Sequence, residues 1–283
     1  MSLKLIIEII IACIILIIIT NGYTIYNIIN NFNYNSFNNY INSNLSIKLN
    51  SNYSNIIFLY SHDYKTLPKY FQYALYNLKI YCNLHNYKII IKNHYPNTTI
   101  SPYWLRVKDL KELSYKYPEN SAIIIYLDLD TIINLKYINL KLDKLLNIID
   151  IYDKKNYDIY IGKDCMFYKY INSGVIFVKN TKYSKDLLNN WYKLYNNKNW
   201  KYNNTKWTCK KKFIPCIWAG YEYEQGALEH IYKNNLFNSK NHIKILHTSF
   251  CSSSNFYYDS FIYHFMSLST KKRIQYMKQL TLI

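Results

Sequence analysis

Along the chain, the spacing of polar and apolar positions changes near residue 53. Before it, residues 5–19 are apolar except for Glu8, and residues 9–19 are uninterrupted. Residues 21–52 then carry no sustained periodicity and are rich in Asn and Tyr, as expected of a stem or linker. Beyond Tyr53, short apolar runs alternate with stretches of helical period, the pattern of an α/β domain on a mainly parallel sheet. Residues 56–60 predict a first strand ending at Ser61-His62-Asp63, residues 88–92 a second, and residues 122–127 a buried central one. Two more strands are expected at 158–161 and 175–178. Helices are predicted from about Pro68, with Phe71, Leu75 and Leu78 on one face, and around residues 140–149 and 184–194. Trp104, Val107, Leu110, Ser114 and Tyr117 recur at spacings of three and four, a helix that stops before Pro118. A final helix is expected over 222–233. Residues 197–220 are long, aromatic and irregular, a loop length that in compact domains is often functional.

Half of the 283 residues are hydrophobic (50%) and only 18% are charged, which excludes a disordered chain. Lys and Arg number 35 against 17 Asp and Glu, a formal net charge of +18 that would attract polyanions. No basic cluster is interleaved with aromatics in a nucleic-acid pattern, so nucleic acid is not the expected partner. With 34 Tyr and long Asn, Ile and Lys runs, composition is biased, and counts of those residues, including four N-x-S/T sequons, carry little weight. Five glycines form no phosphate loop of the P-loop or dinucleotide type. Of six cysteines, only Cys209 and Cys216 are close enough in sequence to suggest a local disulfide, and no spacing suggests zinc.

The apolar run is slightly shorter than the roughly 20 residues a spanning helix needs, but Thr20, Gly22 and Tyr23 can extend it. No clear small-x-small cleavage site follows, so residues 1–22 read as an uncleaved signal anchor in preference to a signal peptide. Lys4 before the run places the N-terminus in the cytoplasm and the body in a lumen. The expected organisation is therefore an anchor over 1–22, a stem over 23–53 and one catalytic-sized domain over 54–283.

Asp128-Leu129-Asp130 ends the most hydrophobic strand of the body. Residues i and i+2 of a strand point the same way, so two carboxylates emerge together at the carboxyl edge of the sheet, where open α/β sheets bind ligands. Such a pair suits Mg²⁺ or Mn²⁺, and the metal in turn a diphosphate.

Residues 103–133, with Trp104-Leu105-Arg106, Tyr117-Pro118-Glu119, the DxD and Thr131-Ile132-Ile133, resemble glycosyltransferase family 34 of the GT-A fold. The resemblance continues in order through Ile171-Asn172-Ser173-Gly174-Val175-Ile176-Phe177, Glu224-Gln225-Gly226-Ala227-Leu228 and Tyr263-His264-Phe265. It implies a Rossmann-like GT-A domain and a Golgi or ER-like type II membrane enzyme. Its reaction would move galactose, mannose or a pentose from a UDP- or GDP-linked donor to a glycan or glycoprotein, with retention. It also implies that Asp128, Asp130 and His264 hold Mn²⁺ or Mg²⁺, that Asn172, Ser173 and Gly174 face the donor sugar, and that Gln225 and Glu224 stand beside the reacting centre. Arg106 could reach the diphosphate, and Ser61 neighbours the nucleotide on topology. After His264-Phe265 the family's small residue and Gly are replaced by Met266-Ser267-Leu268. Lys271 and Lys272, with Arg273 beside them, are the expected substitute source of positive charge. Competing readings are another GT-A enzyme of glycogenin-like type, a catalytically silent glycan-binding module, and a basic protein that binds nucleic acid or anionic lipid.

Overall fold

The computed structural model describes residues 53–164, 171–203, 206–210, 220–247, 250–253 and 260–281. The predicted anchor, the stem up to residue 52, and Cys216 lie outside them. Among the described residues no helix is long and apolar enough to cross a membrane.

The elements in chain order are β1 (Asn55–His62), α1 (Phe71–His85), β2 (Lys88–Asn93), α2 (Pro102–Lys116), β3 (Ala122–Leu127), β4 (Thr131–Ile133) and α3 (Leu142–Asp153). There follow β5 (Ile159–Gly162), β6 (Asn172–Lys179), α4 (Lys182–Lys193), β7 (Trp200–Tyr202), β8 (Trp207–Cys209) and α5 (Glu224–Lys233). The chain continues through the short α6 (Ser239–His242), β9 (Ile243–Leu246), β10 (Cys251–Ser253), β11 (Ile262–His264) and α7 (Thr270–Thr281). Six strands form the main sheet in the order β2-β1-β3-β6-β5-β9. All neighbours are parallel except β6, which runs antiparallel to both β3 and β5.

Alternation divides each strand between two apolar layers. Ile57, Leu59, Ile124, Tyr126, Ile176 and Val178 share one buried cluster with Trp104, Val107 and Leu110 of α2, Leu187, Leu188 and Trp191 of α4, and Leu228 and Ile231 of α5. On the opposite face Phe58 meets Tyr81 of α1 and Phe177 meets Phe250, edge to face in both pairs. Trp104 and Trp191 are fully buried, and truncating either to Ala would cost about 3–5 kcal/mol. Pro102 opens α2, where its missing N–H has no helical role. Thr181 and Ser184 cap α4 reciprocally.

Several expectations change. Asn172, Ser173 and Gly174 do not precede a strand; they are the first three residues of β6, which begins three positions earlier than its apolar run. The helix at residue 224 is not the last, because α7 follows. Residues 197–220 hold a hairpin, β7 paired antiparallel with β8. A second sheet of three strands, ordered β10-β11-β4, stands beside the main one. The β11 strand pairs antiparallel with β4 in a register that sets His264 opposite Thr131. Cys82, Cys209 and Cys251 are free.

Candidate active site

The hydrophobic β3 carries the chain through the core and releases it at Asp128, whose backbone N–H donates to the Gly174 carbonyl at 2.8 Å. Thr131 then donates through both its N–H and its hydroxyl to the Asp128 carbonyl, at 3.2 and 2.8 Å, turning the chain into β4. The β4–β11 pairing brings the imidazole of His264, far along the chain, onto the same turn. His264 Nε2 lies 3.5 Å from Asp128 Oδ2 and 3.4 Å from Asp130 Oδ1. One ligand atom from each of Asp128, Asp130 and His264 lies within 4.8 Å of the other two.

Two arginines guard the carboxylates. Arg106 Nη2 is 3.0 Å from Asp128 Oδ1, and Arg273 Nε is 3.0 Å from Asp130 Oδ2 and donates to the Phe265 carbonyl at 3.0 Å. The Tyr126 hydroxyl adds a 2.7 Å hydrogen bond to Asp128. Burial alone would raise the Asp128 carboxyl, but Arg106 and His264 outweigh it and hold the group well below the usual carboxylate range. His264 goes the other way: burial would lower it, yet Asp130 and Asp128 push it up to about 9.

The donor set fits a divalent cation on its own chemistry. Two carboxylates and an imidazole converge, and the imidazole's other nitrogen, Nδ1, is buried without a hydrogen-bond partner. The backbone at Gly174 is packed against the same group: a Cβ there would lie 2.1 Å from His264 Cε1 and 2.7 Å from Asp128 Oδ2. Glycine is needed here for space, since no side chain of any size fits.

A second group of side chains adjoins the first. Arg106 Nη1 donates to the Ser173 carbonyl at 3.0 Å and to its hydroxyl at 3.2 Å, and lies 3.6 Å from Glu224 Oε1. The Ser173 hydroxyl donates to Glu224 at 2.9 Å, and its N–H donates to Gln225 Oε1 at 3.1 Å. Gln225 Nε2 donates to Asp164 at 3.3 Å, so its amide is fixed at both ends. Glu224 and Gln225 open α5, where the backbone dipole favours a carboxylate. Burial raises the Glu224 carboxyl, with Arg106 and the Ser173 hydroxyl opposing; its Oε2 has no hydrogen-bond partner. Asn172 accepts from the Gly174 N–H at 3.0 Å and donates to Met266 Sδ at 3.1 Å.

All of these groups line one cleft of about 840 Å³. It gathers Asp128, Asp130, His264, Arg106, Asn172, Ser173, Gly174, Glu224 and Gln225. Ser61 also lines it, at the end of β1, with its hydroxyl bound to the buried Asp109 at 2.5 Å. Lys271 and Lys272 are exposed on the first turn of α7 and are not among the lining residues. Arg273, the next residue, takes the inward place. Asp164 and Tyr126 were missed by the sequence reading. Asp164 has a signal in hindsight, an acid two residues beyond β5; Tyr126 looks like any residue of an apolar strand.

Residues 52–259 match the model of the galactosyl transferase GMA12/MNN10 family. No curated protein matches the chain. Among solved structures, the fold is similar to a glycosyltransferase involved in the glycosylation of the major capsid of PBCV-1, with TM-score 0.57 and 19% identity over 80% of this chain and 99% of that one. Mouse xyloside xylosyltransferase 1 in its apo form aligns with TM-score 0.40 and 11% identity, covering 75% of this chain and 97% of its own.

Proposed function

The chain belongs to the galactosyl transferase GMA12/MNN10 family and is a glycosyltransferase, and from that premise we propose a metal-dependent, retaining transfer of galactose, mannose or a pentose. The donor is a UDP- or GDP-linked sugar and the acceptor a glycan or glycoprotein hydroxyl. The observation that carries the reading is the convergence of Asp128, Asp130 and His264 on the same cleft as Ser173, Glu224 and Gln225.

Asp128, Asp130 and His264 would hold Mn²⁺ or Mg²⁺. Bound there, the ion supplies Lewis-acid stabilisation of the departing diphosphate. The remaining chemistry belongs to the protein. Arg106 is half-buried and, with Asp128 and Glu224 beside it, stays protonated, and it fixes the rim of β6 through Ser173. Gln225, pinned between Ser173 and Asp164, is preorganised to orient the sugar, and preorganised dipoles cost little to align during reaction. Glu224 offers one carboxylate oxygen without a hydrogen-bond partner, suited to positive charge developing at the sugar's anomeric carbon. No side chain is assigned here as a nucleophile, so the conservative course is front-face attack. The acceptor oxygen bonds to the anomeric carbon as the bond to the diphosphate breaks, and the hydroxyl proton passes to the leaving phosphate oxygen.

The proposal extends to location: residues 1–22 anchor the chain and the body faces a Golgi or ER-like lumen, a reading motivated by the apolar run alone. Alkaline extraction of membranes from expressing cells checks it, and full release of the uncleaved chain would end it. For the activity, the full chain is incubated with UDP-galactose and GDP-mannose, with and without Mn²⁺, beside an Asp128→Asn/Asp130→Asn variant. Metal-dependent release of UDP or GDP, lost in the variant, is expected. Folded protein that neither releases nucleotide nor binds it with metal would sink the reading.

A further inference from the structure

On the side of the main sheet away from α2, α4 and α5, the helix α1 carries an outward row of side chains that the cleft does not use. Asn77, Tyr81 and His85 recur every fourth residue and face the segment that follows β4. Asn77 Nδ2 donates to the Ile133 carbonyl at 2.9 Å and the Tyr81 hydroxyl to the Leu140 carbonyl at 2.6 Å, while His85 Nε2 lies 2.7 Å from the Ile138 carbonyl. Tyr76, Ile80 and Leu84 are each one position earlier and form the neighbouring row of the same helix. They face water, being 56%, 36% and 53% exposed, and none of them lines the cleft. The outward face of a surface helix is ordinarily polar, so three apolar side chains in one row differ from scattered single ones. Helix α7 packs on α1, and the Arg273 guanidinium lies 5.2 Å from the centre of the Tyr70 ring.

Charge around this row has one sign. Residues 64–108, 131–142 and 260–283, which include α1, the segment after β4 and α7, contain no acidic residue. Lys69 and Lys79 at α1, Lys136 and Lys141 after β4, and Lys278 on α7 are all exposed. Among the described residues the exposed acids are Glu112, Glu119 and Asp186, on α2, the loop after it and α4, across the sheet from α1. A row of apolar side chains ringed by lysines complements anionic headgroups over hydrocarbon: the apolar groups enter the interface, and the lysine stems lie along it with their ammonium groups at the headgroups. We propose that α1, with these lysines around it, docks on the surface of a bilayer that carries anionic lipid. An acidic protein helix would need a groove in which to bury its own apolar face, whereas a bilayer receives a single projecting row directly. Neither the transferase reading nor the side of a membrane that the body faces enters into this docking.

The test places a fluorophore in the row. Full-chain Ile80→Trp and Leu84→Trp are reconstituted with vesicles of dibrominated phosphatidylcholine, with and without phosphatidylserine. Beside them stand the unsubstituted chain and Tyr115→Trp, at a site on α2 that is 56% exposed and lies across the sheet. Bromine quenches only indoles at acyl-chain depth, and residues 1–22 are the same in every sample. With phosphatidylserine, quenching beyond that of the unsubstituted chain is expected at positions 80 and 84 and not at 115. Roughly 1 M salt, where the screening length is about 3 Å, should remove most of it. Each lysine at such a surface is worth about fivefold, so Lys69→Gln/Lys79→Gln/Lys141→Gln in the Ile80→Trp background should weaken docking about a hundredfold. Urea midpoints of all variants verify that folding is intact. No added quenching at 80 and 84, equal quenching at 115, or equal quenching without phosphatidylserine would each overturn the proposal. Emission from Ile80→Trp that shifts with polyglutamate or duplex DNA but not with vesicles would overturn it too, in favour of an acidic protein or nucleic acid.

Discussion

Gly174 and His264, ninety residues apart in sequence, are in contact so close that one methyl group on the glycine would lie 2.1 Å from the imidazole carbon. The strand β6 thus fixes how deeply the imidazole sits between the two carboxylates. Gly174→Ala should displace His264 and abolish Mn²⁺-assisted binding of UDP or GDP, while the fold survives with a loss of about 1–3 kcal/mol. Calorimetry with metal and nucleotide checks this. Wild-type metal dependence in the Ala variant would show that His264 is not held by this contact.

Arg106 is the shared cation of Asp128 and Glu224. Arg106→Met keeps much of the side-chain volume but leaves the buried Glu224 without its cation and the partly exposed Asp128 with His264 alone. Breaking a buried pair from one side typically costs about 3–5 kcal/mol, so the urea midpoint should fall steeply. A change under about 1 kcal/mol would mean that water already screens the pair.

Glu224→Gln preserves the acceptor for the Ser173 hydroxyl and removes the charge. If Glu224 stabilises positive charge on the sugar, kcat should fall by about 10²–10³-fold with metal-assisted nucleotide binding retained. Burial raises the carboxyl of the wild-type residue, so its charged form is lost at higher pH than for an ordinary Glu. The acid limb of kcat/KM should accordingly lie above the usual carboxylate range and vanish in the variant. An unaltered limb in Glu224→Gln would assign it to another group.

His247 offers a stability test away from the site. Burial, then Lys163 and Lys244, lower its imidazole to about 4. The unfolded chain therefore binds a proton between pH 6.5 and 4 that the native chain does not, so native stability is intact above 6.5 and declines as pH falls through that window. The slope is at most about 1.4 kcal/mol per pH unit from this residue. In His247→Gln that share of the slope should disappear, as followed by urea unfolding at pH 4.5, 5.5, 6.5 and 7.5. Identical slopes in both proteins would remove His247 from the account.

What the sequence revealed follows from how local each signal is. Strands β1, β3, β5 and β6 announce themselves as apolar runs because both faces are covered, and 122–127 is buried at every position, whereas the edge strand β9 was not expected. Asp128 and Asp130 were legible because a strand's end and its period are both local. The start of β6 was not, since Asn172, Ser173 and Gly174 are polar or small; Asn172 meets Gly162 of β5 across a register shift, and the Gly174 carbonyl is held by the Asp128 N–H at the end of β3. The direction of β6 was equally hidden: antiparallel pairing depends on where the connection lands. The three-residue strands β4, β10 and β11 are too short to show a period and exist only as partners of one another. In the basic triplet at 271–273 the charge was visible but the facing was not. Helical rotation turns Arg273 toward Asp130 and leaves Lys271 and Lys272 in water.

Pairing of β11 with β4 also sets an order of events during synthesis. His264 leaves the ribosome 136 residues after Asp128 (264 − 128), roughly 7–27 s later at ordinary translation rates. Through that interval the growing chain already carries both carboxylates and Arg106, with neither the imidazole nor Arg273 yet made. A nascent protein can therefore shape most of its main sheet while the proposed metal centre stays incomplete, and any product that stops short of β11 is born without its imidazole.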